Sequence, residues 1–267
     1  MALFQYEFLR NAFLAGLLIS LACALVGTLI VMRKMVYLAG GIAHIAFGGV
    51  GIGIFLGINP VFSALAFSLL SALGMGLGLK RLKISEDSAI GVLWAIGMAI
   101  GALFVGLTKS YVPDLMVYLF GNILMVSTSD IKTMLILDGV IILLTLGLWK
   151  ELLAVSFDPD FAWVCGVRVR LIETIFLLMV AASCVILIHA VGIVLVLALL
   201  TIPTLLSRHF YGGLKGMMML SGLFSFGLIM MGLALSYLFN IPSGATIVLL
   251  SGIVFGFVEA LRRSNFF

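Results

Sequence analysis

The sequence predicts an all-α polytopic membrane protein: one transmembrane domain over residues 1–267 with about nine spans, eight being the alternative count. Three observations carry this. Of 267 residues, 64% are hydrophobic and 10% charged, where a soluble domain carries about 25% charged residues. The mean hydropathy of +1.34 is too high for one water-soluble core. The apolar runs last about twenty residues without alternation, the length a helix needs to cross a bilayer. In hydrocarbon every backbone N–H and C=O must be satisfied internally, and barrel strands would alternate apolar with polar residues.

The runs between polar punctuation place spans at roughly 12–32, 36–58, 61–79, 88–108, 130–149, 171–190, 192–207, 216–239 and 243–261. The seventh is short and contains Pro203, so it is expected to be kinked or broken, and Pro203 is a candidate gate. The segment 115–126 is apolar but too short to cross and reads as re-entrant or interfacial.

Orientation follows from the basic residues. With the N-terminus outside, Arg33, Lys34, Lys80, Arg81, Lys83, Lys150, Arg168, Arg170, Arg208, Lys215, Arg262 and Arg263 lie inside. Only Arg10, Lys109 and Lys132, three of the 15, lie outside. The C-terminus is then inside. The net charge of +4 is scattered in pairs between apolar runs, which marks topology and not a nucleic-acid surface. Glycines spaced by four (Gly49, Gly53, Gly57; Gly74, Gly78; Gly97, Gly101; Gly252, Gly256) suit close packing of helices in lipid.

Ionisable groups inside a membrane are costly and mark function. His44 lies about 12 Å from the inner boundary, counting 1.5 Å per residue. Gly40, Gly41 and Gly48 flank it and leave room for a bend or a substrate. A neutral imidazole there is a ligand for a divalent transition metal, or a hydrogen-bonding group between helices. Asp138 lies about 12 Å from the outer boundary by the same rise. An imidazole and a carboxylate at one depth suit a transient metal site, if their faces meet. His189, near the outer end of its span, lines an outer vestibule or sits at a solvated boundary. Glu173 and Glu259 lie near inner boundaries, where snorkelling or pairing with arginines explains them.

No Walker A pattern occurs, so this chain is not expected to hydrolyse nucleotide itself, and the Gly-x-Ser-x-Gly elbow and His-Glu-x-x-His pair, two common intramembrane-hydrolase signatures, are missing. The connection 150–170 contains Asp158 before Pro159, a pattern for a helix N-cap with proline at N1, and Gly166 as the stop. Between them Phe161 and Trp163 supply aromatic bulk. Such a turn suits docking into a groove of a partner or lying on headgroups.

Taken together, these residues resemble the permease subunit of the zinc/manganese-type ABC importers. The start, from Phe8 through Arg33 and Lys34, is similar to that family's. Its Gly-Asp-x-x-x-His segment is matched at His44 and Phe47-Gly48-Gly49-Val50, with Gly40 standing where the family has Asp. Its Asp-Pro-x-x-Ala-x-x-x-Gly loop is matched at Asp158, Pro159, Ala162 and Gly166. Its Val-Gly-x-x-Leu-Val…Leu-Leu-x-x-Pro stretch is matched at Val191, Gly192, Leu195, Val196, Leu199, Leu200 and Pro203.

The resemblance implies a homodimeric permease in the cell (inner) membrane. It implies cytoplasmic ATP-binding-cassette ATPases docked on the loop of Asp158, Pro159, Ala162, Trp163 and Gly166, and an extracytoplasmic metal-binding protein. The transported ion would be divalent zinc, manganese or iron, with no permanently bound cofactor. Of the family's metal-handling pair only His44 carries over, so Asp138 or another group is expected to supply the missing ligand. The rival reading is a proton-coupled secondary transporter in which His44 and Asp138 titrate.

Overall fold

Local chemistry decides where the helices start and stop. The computed structural model describes residues 6–78, 86–108 and 119–263. Helix α1 (Glu7–Met32) contains one π turn, Cys23–Gly27, and ends where Lys34 adopts a left-handed conformation. Helix α2 (Val36–Leu56) stops at Gly57, whose φ of +68° disfavours any side chain. In α3 (Pro60–Gly78), proline takes the first position and Asn59 accepts the Val61 N–H at 2.9 Å. Helix α4 (Glu86–Leu107) follows.

Helix α5 (Thr128–Gly147) opens on a capping box between Ser127 and Asp130. After Leu148 the chain bends by 75° into α6 (Trp149–Phe157), and α7 (Pro159–Val164) is a short turn beyond it. Then come α8 (Val169–Val191), α9 (Ile193–Phe210), α10 (Leu214–Phe239) and α11 (Ser243–Arg263).

Burial sorts the helices into an inner and an outer set. The apolar stretches of α2 and α8 are each 78% buried, whereas that of α11 is 17% buried. The outer helices present Leu103, Leu143, Leu223, Leu249 and Phe257 outward. Apolar surface on this scale needs lipid or a second protein against it.

Among the described residues, seven helices are long and apolar enough to cross, or eight if the bent pair α5–α6 is one span. The expected count of nine takes in α9 (Ile193–Phe210) as well, whose 18 residues rise about 27 Å against the hydrocarbon's ~30 Å. The expected break also moves. Helix α9 continues through Pro203, and the interruption falls before it, at Gly192 with φ +85°. There Gly192 meets the backbone of Leu119 to Gly121, so only glycine fits. Of the segment 115–126, residues 119–126 are described and pack inward through a 3₁₀ turn at Ile123–Met125, with Ile123 fully buried. Lys80, Arg81, Lys83 and Lys109 lie outside the described residues.

Among the regularly spaced glycines, two kinds separate. A Cβ on Gly51 would lie 2.5 Å from the Gly101 carbonyl oxygen, and one on Gly97 would lie 2.6 Å from the Ile45 Cα. On the other face of α2, a Cβ on Gly49 would lie 2.6 Å from the Ser63 carbonyl oxygen. These are backbone-to-backbone contacts. Gly74, Gly252 and Gly256 face open space. Gly51→Ala should therefore lower the melting temperature of the detergent-solubilised protein by an amount equivalent to about 1–3 kcal/mol, while Gly74→Ala leaves it unchanged or slightly raised. Equal melting curves for the two variants would contradict the packing described.

Candidate functional site

His44 sits midway along α2 where α4 crosses it. Gly48, Gly51, Gly97 and Gly101 bring the two backbones together, and the approach lays Trp94 of α4 against the imidazole. The ring centroids are 4.0 Å apart at an interplanar angle of 27°. His44 Nδ1 lies 2.7 Å from the Gly40 carbonyl oxygen. A carbonyl only accepts, so Nδ1 carries the hydrogen and donates it. That leaves Nε2 with a lone pair, the arrangement by which a second-shell bond aims an imidazole at a metal. The side chain is half-buried, so Nε2 is not sealed off.

Gly40 does more than accept this bond. A Cβ there would lie 2.8 Å from Leu197 Cδ1 and 3.6 Å from the Trp94 ring. Leu197 and Trp94 fill the space an acidic side chain at position 40 would need. A side chain on Gly41 would strike Ile90, and one on Gly48 would lie 2.9 Å from the Gly97 carbonyl oxygen. Trp94 was not among the residues singled out from sequence. Gly97, three residues on and pressed against the Ile45 backbone, is the signal that this part of α4 faces a neighbouring helix, whereas Gly91, three residues before, faces open space.

Asp138 is 2% exposed, and neither carboxylate oxygen has a hydrogen-bond partner among the described residues. It does not join His44. Helix α5 packs on α1 and α8, while α2 packs on α3, α4, α8 and α9. The neighbours of Asp138 include Cys23, in the π turn, beside Ser225 of α10. The expectation of equal depth was a poor guide to contact. Among the described residues no group of three or more His, Cys, Asp or Glu gathers to hold a metal. The His189 side chain lies outside the described residues. Pro203 lies in α9, away from any interruption of the helix.

The second cluster forms as the pattern suggested. Asp158 accepts the Phe161 N–H at 2.9 Å, Pro159 takes the first helical position, and Gly166 closes the turn at φ +86°. Ala162 is fully buried and anchors the turn, while Phe161, Trp163 and Val164 are 64%, 72% and 75% exposed. An apolar face held out on a capped, rigid turn is built to meet something.

The profile of a family described as "ABC 3 transport family" matches residues 5–261. A Synechocystis protein named "Uncharacterized membrane protein slr2045" is 42% identical over 259 residues, covering 97% of this chain and 92% of that protein. The "Manganese transport system membrane protein MntC" of Listeria innocua is 33% identical over 253 residues, covering 95% and 90%. The solved structure titled "PsaBC from Streptococcus pneumoniae in complex with Fab" superposes with a TM-score of 0.86 at 29% identity, covering 98% of this chain and 97% of that one.

The stack on His44 makes Trp94 a reporter of metal at Nε2. In a Trp149→Phe, Trp163→Phe background Trp94 is the remaining tryptophan of three. Titrated Cu²⁺ should quench its fluorescence saturably, and His44→Ala should abolish the saturable phase. An identical titration in both would exclude Nε2 as the ligand.

Proposed function

The chain belongs to the ABC 3 transport family, and from that premise we propose that it is the permease of an ATP-driven importer of divalent transition-metal ions, with manganese as the first cargo to test. It is a multi-pass protein of the cell membrane and not itself an enzyme; ATP hydrolysis lies in a separate subunit. The observation that carries the cargo reading is the imidazole of His44, pinned through Nδ1 and open at Nε2. One nitrogen ligand holds a metal weakly, as passage requires, because an ion has to leave the site as well as enter it. Manganese is the metal named for the Listeria relative. Zinc and iron share the imidazole chemistry, and competition during uptake ranks the three.

The remaining parts follow from this reading. A cytoplasmic ATP-binding-cassette ATPase docks on the exposed face of α7, with Phe161 and Trp163 as anchors. With the N-terminus outside and the C-terminus inside, the turn between α1 and α2 lies on the same side as α7. An extracytoplasmic metal-binding protein delivers the ion to the opposite face, and two copies of the chain flank the pathway. ATP binding closes the ATPases and moves α7, which shifts access from one side to the other. The unpaired, buried Asp138 favours one rival, a proton-coupled transporter that works without an ATPase. Metal uptake driven by a proton gradient in vesicles holding this chain alone would support that rival.

In vesicles carrying the chain with its ATPase and binding protein, manganese uptake should require ATP. His44→Ala should lower it about tenfold or more, the scale on which even an outer-shell partner of a metal ligand matters. Asp158→Ala with Trp163→Ala should instead abolish co-purification of the ATPase. Full uptake by His44→Ala, or an ATPase retained by the double variant, would reject the corresponding role.

A further inference from the structure

Pro159, the first residue of α7, faces a cavity of about 330 Å³ that reaches under α2. Its lining includes Leu38 and Ile90, which are 1% and 6% exposed. Leu38 precedes His44 by six residues, about 9 Å along the helix, and Ile90 packs where Gly41 leaves room for it. The two side chains thus line the cavity from the helices that carry His44 and Trp94. The same lining includes the polar side chains of Ser156 of α6, Glu173 of α8 and Arg33 at the end of α1. The Arg33 guanidinium lies 4.5 Å over the ring of Phe176, which is 1% exposed.

A divalent ion leaving a nitrogen ligand needs oxygen ligands to replace it, and carboxylate suits manganese best. Among the described residues lining the cavity, Glu173 carries the carboxylate. We propose that this cavity is the inner exit vestibule of the metal pathway, in which Glu173 receives the divalent cation once Leu38 and Ile90 part. Arg33, held on Phe176 by cation–π attraction, shares this lining. Val155, Ser156 and Pro159 form one wall, so a push on α7 moves the vestibule directly. This inference rests on the permease reading and adds to it a second ligand position.

The assembled transporter in vesicles provides the test. Glu173→Gln should lower ATP-dependent manganese uptake about tenfold or more while the ATPase still co-purifies, and Glu173→Asp should keep part of the uptake. A second readout leaves Glu173 in place. Cys23 and Cys184 are buried and Cys165 is exposed, so Ser156→Cys in a Cys165→Ser background offers one reactive thiol. A membrane-impermeant maleimide supplied on the ATPase side should label it, and Mn²⁺ should slow the labelling where equal Mg²⁺ does not. Parental uptake by Glu173→Gln, or labelling indifferent to Mn²⁺, overturns the vestibule. Where Glu173→Gln fails to insert, the thiol readout decides alone. A parental transporter that takes up no metal with ATP contradicts the permease reading instead.

Discussion

The crossing of α2 and α4 without intervening side chains is the constraint on which the rest of the site depends. Lipid offers no hydrophobic force to drive helices together, so close backbone packing has to supply the attraction. Gly48 and Gly51 on α2 meet Gly97 and Gly101 on α4, while Gly49 and Gly53 let α3 approach from another side. Only because the two backbones lie this close does Trp94 reach the His44 ring. Only because position 40 lacks a side chain do Trp94 and Leu197 occupy the space beside it. The imidazole is therefore oriented twice, by stacking on one face and by the Nδ1–H bond to its own helix.

The same helix links the site to the proposed motor. α2 carries both His44 and Leu38, and the cavity that Leu38 lines is also lined by Pro159 at the start of α7. Asp158, Pro159 and Gly166 make α7 a rigid turn, so a force on its exposed face is transmitted rather than absorbed by bending. The inner helices α1, α2 and α8 are enclosed, and the outer ones present apolar surface to lipid or to a second copy.

What was legible in the sequence divides along physical lines. The helical membrane class followed from composition and run length, and the α7 turn from local rules, since an N-cap, a proline at N1 and a left-handed glycine need no distant partner. His44 was placed at mid-helix by counting rise. Distant contact was not legible. Equal depth for His44 and Asp138 said nothing of which helices they face, and they pack in different neighbourhoods. Spacing by four did not distinguish Gly97 and Gly101, pressed on a backbone, from Gly252 and Gly256, open to the surroundings. At α9, hydropathy sees one apolar run with a proline in it, but not that the chain is interrupted before it, at Gly192.

The central claim is that His44 touches the transported ion through Nε2. X-ray absorption at the metal edge of the manganese-loaded transporter tests it directly. The account predicts a nitrogen in the first shell, with the outer-shell scattering of an imidazole ring, and the loss of both in His44→Gln. A first shell of oxygen alone, unchanged by that substitution, would contradict it.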